Sequence, residues 1–289
     1  MMKLALGTAQ FGLDYGVANS KGKVSLEEAR KIFDLAEAIG IQTIDTASAY
    51  GNSEEVVGLV SSVNHEVVTK LSGVPEQCDD VFDWTQKQLF SSLSKLRRER
   101  IYAILLHRPD QLHLEYGNEL YRALQEFKSE GYVKKIGISI YDPRELDLLW
   151  DCYDFDIVQA PLNIIDRRII DSGWAERLKK NDIEIHTRSV FLQGLLLMPK
   201  LKRSEKYSPW QYIFDEWDRW LDQHGLTAYE ACLRFATNHD TIDRVIVGVD
   251  SAEQLKELAG VSMTSLESLP EFTGLRDTRL INPASWSQL

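Results

Sequence analysis

Residues 41–51 read IQTIDTASAYG, and the rest of the chain is organised around this stretch. Ile41 to Ile44 read as a short buried strand, a polar turn follows, and Asn52–Ser53 open a helix. Asp45 ends the strand and Tyr50 lies in the turn, so an acid and a phenol are held together where a strand passes into a helix. Alone, Asp45 reads as a turn or helix cap and Tyr50 as a buried aromatic. Their meaning depends on what the other strands bring to the same place.

The pattern repeats along the chain. Apolar runs of strand length fall at 3–7, 42–45, 66–70, 101–107, 135–139, 156–159, 184–188 and 244–248. Segments of helical period lie between them at 25–39, 53–60, 79–96, 115–130, 143–151, 173–180, 209–237 and 252–259, the long seventh one breaking at Gly225. The strands lack polar alternation, as strands covered on both faces should. Ser25 with Glu28 spells a capping box, and Gly40 and Gly131 stand where helices need a left-handed end. Eight such units can open into a doubly wound sheet or close into a barrel. No GxGxxG follows the first strand, since GTAQFG does not fit it, which favours a single-domain α/β protein, a (β/α)8 TIM barrel over residues 1–289.

A chain of 289 residues with 27% charged residues and a net charge of -11 has no basic stripe for nucleic acid, whose phosphates it would repel. The three cysteines, Cys78, Cys152 and Cys232, are far apart and show no metal spacing, so reduced thiols and a cytoplasmic location are expected. The start, MMKLALGTAQFG, reads as a first strand rather than a signal peptide. The longest apolar run, Phe191 to Met198, contains Gln193 and Gly194 and is too short to cross a bilayer, so no membrane partner is expected.

On the face of a barrel where chemistry occurs, the strand ends are Gly7–Thr8, Asp45, Lys70, His107, Ser139, Gln159, Arg188 and Gly248. Polar and charged groups are costly beside a core unless paired, and a nearly complete ring of them is hard to obtain from packing alone. Asp45, Tyr50, Lys70 and His107 come from three consecutive units and have a joint logic. A phenol of pKa about 10 is a poor acid or base at neutral pH. An ammonium beside it lowers that pKa, and a carboxylate holds the ammonium. A histidine donor can orient a carbonyl oxygen. The set can move a proton to or from an alcohol oxygen, but offers no obvious nucleophile and no metal cage.

The motifs GTAQFG, IDTASAYGNSE, VVTKL, LLHRPD, KKIGISIYDP, IVQAPLNIIDRR, RSVFLQGLLL and VIVGVDSAEQLKEL occur in this order over almost the whole chain. Together they resemble the aldo-keto reductase family. The resemblance implies a (β/α)8 barrel that binds a nicotinamide cofactor without a Rossmann motif and interconverts a small carbonyl compound and its alcohol. It implies a catalytic tetrad of Asp45, Tyr50, Lys70 and His107, with Tyr50 as general acid/base, Lys70 as its pKa-lowering partner, Asp45 as the anchor of Lys70 and His107 as orienter of the carbonyl. It further implies cofactor contacts from Gly7 and Thr8 and from Ser139 and Gln159 to the carboxamide, with Asn163 nearby. The pyrophosphate would be received by Ser189, Leu192 and Gly194, largely through backbone N–H groups, and the adenosine end by Gly248, Asp250 and Gln254 at the start of the last helix.

Arg188 and the stretch after Gly248, with Asp250, Gln254 and Leu258, depart from the family pattern. Arg188 stands where an aromatic ring often faces the nicotinamide, and a planar guanidinium can stack in its place. Asp250 stands where a basic residue for the adenosine 2′-phosphate is common. The resemblance therefore implies NADP(H), while Asp250 keeps NAD(H) open. Phe11, Tyr15, Arg108, Tyr141 and Phe191 are candidate substrate contacts, mixing aromatic surface with hydrogen-bonding groups as a sugar or small polar carbonyl compound would need. A redox-sensing module of the same fold is the competing reading, and the presence of all four catalytic residue types favours the enzyme. A metal-dependent lyase lacks a ligand cluster. Nothing in the sequence specifies an oligomeric state.

Overall fold

Eight parallel strands close into a barrel in sequence order, each pairing with the next and the eighth with the first. The computed structural model describes residues 3–19, 21–262, 264–272 and 277–288. The strands are β1 (Leu4–Gly7), β2 (Thr43–Asp45), β3 (Glu66–Leu71), β4 (Ile101–Leu106), β5 (Val133–Ser139), β6 (Ile157–Pro161), β7 (Glu184–Arg188) and β8 (Arg244–Gly248). All eight coincide with the apolar runs, and the (β/α)8 expectation is met. Every residue of β1, β2 and β6 is buried, which is why these strands carry no polar alternation: the barrel fills one face and the helices cover the other. Val68, Ala103, Leu105 and Ile157 form a small inner cluster. The far larger core joins the strands to the apolar stripes of the helices.

The segment 209–237 divides at Gly225 into helices Gln211–His224 and Ala228–Thr237. Trp217 and Trp220 stack on each other with ring centroids 5.8 Å apart and both are buried. Helices Ala9–Gly12, Arg168–Asp171 and Thr278–Ile281 escape the sequence reading because four residues are too few for a periodic signal. None of the helices among the described residues is long and apolar enough to cross a membrane.

The capping box at Ser25 forms only by half, and the departure matters for the site. Ser25 Oγ accepts from the Glu28 N–H at 3.2 Å as expected. The Glu28 carboxylate does not return to the Ser25 backbone. It crosses to the helix that follows β8, Ala252–Ala259, where Oε1 accepts from the Ala252 N–H at 2.8 Å. Barrel closure makes this possible: because β8 pairs with β1, the helices that follow them pack side by side.

Candidate active site

The interior face of β3 presents Val68 and then Lys70, two residues apart as a strand requires. Lys70 is fully buried, which an ammonium tolerates only with close partners. Its Nζ donates to Asp45 Oδ1 at 2.6 Å and to the Thr46 carbonyl at 2.9 Å. The second Asp45 oxygen accepts from Gln159 Nε2 at 2.7 Å, and Gln159 Oε1 accepts from Ser139 Oγ at 3.2 Å. One chain of hydrogen bonds therefore links the ends of β5, β6, β2 and β3. Burial lowers the Lys70 pKa while Asp45 pulls it back up.

The turn that carries Tyr50 is fastened on two sides. Ser48 donates from both N–H and Oγ to the Lys70 carbonyl, at 3.1 and 2.9 Å. Ser53 N–H donates to the Tyr50 carbonyl at 2.9 Å, while Ser53 Oγ donates to the Thr8 carbonyl at 2.8 Å. Gly12 and Gly51 let the first loop lie directly on this turn: a Cβ on Gly12 would fall 1.7 Å from the Tyr50 carbonyl oxygen. Gly12→Ala is accordingly expected to displace the turn, costing about 1–3 kcal/mol of stability and lowering turnover more than cofactor affinity. Denaturant titration beside steady-state kinetics checks this, and unchanged kinetics would contradict it.

Lys70 Nζ lies 5.2 Å from the centre of the Tyr50 ring. The His107 ring meets the Tyr50 ring edge-on, 5.9 Å between centroids. The four sequence-predicted residues thus converge at one mouth of the barrel. Burial, then the Asp45 carboxylate, push the Tyr50 hydroxyl above the ordinary phenol range, and Arg188 is the cation that opposes them. Lys70, the expected pKa-lowering partner, faces the ring but is shared with Asp45, and the net direction at Tyr50 is upward. Burial, Lys70 and Arg188 hold His107 down at about 3, so its imidazole is neutral at physiological pH.

A cleft of about 350 Å³ runs from Tyr50 and Asp45 across the mouth to the start of helix Ala252–Ala259. Gly7, Thr8, Arg188, Ser189, Gly194, Gly248, Asp250 and Gln254 line it as the sequence predicts, and so does Tyr15. Several other expectations need correction. Phe11 is fully buried and packs on Phe33 at 6.0 Å, because the short helix Ala9–Gly12 turns it into the core rather than toward a substrate. Phe191 stacks on Tyr229 with centroids 5.1 Å apart, and Tyr229 in turn donates to the Gln254 carbonyl. This places Phe191 at the far end of the cleft, away from the carbonyl chemistry. Arg108 is exposed and held by Asp110 through two hydrogen bonds of 2.9 and 2.7 Å. Asn163 is buried under the seventh loop, donating to the Ser189 carbonyl at 3.0 Å.

The seventh loop also differs in detail. Leu192 is fully buried, and its N–H donates to the Ser189 carbonyl at 2.9 Å, as that of Gly194 does to Phe191. Those two N–H groups are spent inside the loop, so they do not face an anion. The loop curls through left-handed conformations at Ser189, Leu192 and Gln193, a costly backbone for non-glycine residues. The N-terminus of helix Ala252–Ala259 is likewise occupied: Glu28 takes the Ala252 N–H, the Gln254 side chain takes that of Asp250 at 2.7 Å, and Ser251 takes that of Gln254. Gln10, Tyr229 and Glu257 line the cleft without having been singled out. Glu28 could not have been, since in sequence it is indistinguishable from a local cap.

The Aldo/keto reductase family profile matches residues 3–269. The chain is 25% identical over 303 residues to D-threo-aldose 1-dehydrogenase from Pseudomonas sp, covering 88% of this chain and 90% of that protein. It is 30% identical over 186 residues to the NADH-specific methylglyoxal reductase of Escherichia coli (strain K12), covering 56% of each. Among solved structures, the glycerol dehydrogenase AKR11B4 from Gluconobacter oxydans superimposes with a TM-score of 0.71 at 23% identity, over 92% of this chain and 88% of that one. This last likeness speaks for the fold alone. With the barrel and the profile match over nearly its full length, the chain belongs to the aldo/keto reductase family. It is an NAD(P)-dependent oxidoreductase.

Proposed function

We propose that this protein reduces a small aldehyde or ketone to its alcohol, reversibly, with Tyr50 giving the proton. The observation that carries the reading is the convergence of Tyr50, Lys70, Asp45 and His107 beside a cleft lined from Tyr50 and Asp45 to Asp250 and Gln254. The residues suit a nicotinamide cofactor. The cleft ends beside Tyr50. Ser139 and Gln159, expected to hold the carboxamide, are instead buried beneath it and hydrogen-bonded to each other and to Asp45, so they act on the site through Asp45. At the other end Asp250 Oδ1 is buried without a hydrogen-bond partner, ready for a ribose hydroxyl. When bound, the cofactor supplies the hydride.

The protein's own groups do the rest. The raised pKa of Tyr50 keeps its phenol protonated at neutral pH, as a proton donor to a forming alkoxide requires. Neutral His107 can donate an N–H to the same oxygen without protonating it. Lys70, fixed by Asp45 and Thr46, brings positive charge to the Tyr50 ring and so tempers the cost of a phenolate after transfer. The substrate class favoured here is a small polar carbonyl compound, sugars included. The D-threo-aldose and methylglyoxal named for the relatives fit this size and polarity.

The adenosine end favours NAD(H). Asp250, Glu257 and Glu28 bring carboxylates there, and the helix N-terminus that would welcome a 2′-phosphate already holds Glu28 and Ser251. A phosphate placed among these would meet like charge. NADH is therefore expected to bind at least about tenfold more tightly than NADPH. Fluorescence titration with the two reduced cofactors checks this, followed by a panel of sugar and aromatic aldehydes. Tight NADPH with weak NADH binding would contradict the preference.

A further inference from the structure

Glu54 is a buried acid that the chemistry above does not use. It stands in the first turn of helix Ser53–Val60, which the Tyr50 turn runs into, and only 1% of it is exposed. Its Oε1 accepts from Thr69 Oγ1 at 2.7 Å. Its Oε2 is buried without a hydrogen-bond partner, and Lys95 Nζ stands 4.0 Å away. A carboxylate in the first turn of a helix meets the positive end of the dipole at little cost when it stays in water. Buried, with one oxygen on a single hydroxyl and the other unbonded, it is costly. An apolar side chain of similar size would fill the space more cheaply. Packing alone does not account for an acid here.

The two ends of its hydrogen bond do. Thr69 immediately precedes Lys70 on β3, and successive side chains of a strand point to opposite faces. Lys70 points into the barrel and Thr69 out to the helix layer, where it too is buried. The bond from Thr69 to Glu54 therefore joins, behind the strand, the two segments that carry Lys70 and Tyr50. After Lys70, its carbonyl accepts from Ser48 Oγ at 2.9 Å. β3 is thus tied to the Tyr50 turn just before and just after the Lys70 side chain. Helix Ser53–Val60 is fixed from its other side as well. It closes onto the end of helix Val81–Leu96 at Gly58, where a Cβ would fall 2.2 Å from the Lys95 carbonyl oxygen.

We propose that Glu54 is a positioning residue of the reaction: through Thr69 it sets the place of the Lys70 ammonium against the Tyr50 ring, 5.2 Å from its centre. This rests on the carbonyl-reductase reading above. Glu54 is not part of the cleft wall, so it acts only through the strand.

Three variants separate this role from packing. Thr69→Val removes the donor and keeps the shape, Glu54→Met removes the acceptor, and Glu54→Gln keeps an oxygen for Thr69. With NADH bound in advance, single-turnover reduction of an aldehyde reads the chemical step. Thr69→Val and Glu54→Met are expected to slow it about ten- to a hundredfold. The Kd for NADH and the KM for the aldehyde should stay within about twofold of the wild type. Glu54→Gln should keep most of the rate. The double variant Glu54→Met with Thr69→Val should be more stable than Glu54→Met, since no hydroxyl is left unpaired, yet as slow as either single variant. In crystals of the slow variants, Lys70 Nζ should lie further from the Tyr50 ring than in the wild type. Full rates in both single variants, rates that recover with stability in the double variant, or a Lys70 that has not moved would overturn the role of Glu54 and leave the reductase reading intact. A wild type that reduces no aldehyde, beside a Lys70 displaced in the variant crystals, would overturn the reductase reading and leave the positioning contact standing.

Discussion

Tyr50→Phe is expected to lower the turnover of carbonyl compounds by about a hundred- to ten-thousandfold while cofactor affinity stays near the wild-type value. The range is that of a single well-placed general acid. The substitution removes one oxygen and keeps the ring, so the edge-on contact with His107 and the approach of Lys70 should persist. The turn is held by backbone and serine hydrogen bonds that do not involve the phenol oxygen. The loss should therefore fall on kcat, with the thermal midpoint almost unmoved. Steady-state kinetics and cofactor fluorescence on the same preparation separate the two. Turnover unchanged in Tyr50→Phe would remove Tyr50 from the chemistry.

The second large effect concerns Lys70. Replacing it with Met leaves the buried Asp45 with Gln159 as its remaining side-chain partner. Breaking a buried pair on one side costs about 3–5 kcal/mol, which would lower Tm by roughly 5–15 °C. Turnover should fall too, because the cation beside Tyr50 is gone. Asp45→Asn combined with Lys70→Met should regain much of the stability, since no charge is then left alone, but none of the turnover. Thermal unfolding of the two single variants and the double variant closes the cycle. A Lys70→Met protein as stable as the wild type would mean that the pair is not the buried contact described here.

Those four residues were legible in the sequence because each is tied to the end of a strand or to the turn just after one. The strand register then carries it to the mouth whatever the loops do. Lys70 shows this best: two residues beyond Val68, it must share the inner face. Loop residues had no such guide. Phe11 looked like a pocket aromatic, yet one turn of helix rotates it into the core. Leu192 and Gly194 were expected to offer N–H groups, which the left-handed path of the loop spends on its own carbonyls. Glu28 belongs to a capping motif that is local in sequence, and its distant use follows only from barrel closure. The upward direction of the Tyr50 pKa was out of reach for a related reason. Which charges reach a phenol depends on where the ammonium is already committed, and the sequence does not say that Lys70 is bound to both Asp45 and Thr46.

The central claim is that a hydride passes directly to a carbonyl carbon beside Tyr50. Deuterium placed on the reactive carbon of NADH traces that transfer. With a reducible aldehyde and both hydrogens of that carbon replaced by deuterium, one label per cofactor oxidised is expected on the carbinol carbon of the product, at a rate that falls with turnover in Tyr50→Phe. Cofactor that binds and keeps its label against every aldehyde offered, or label that appears in water, would contradict the account.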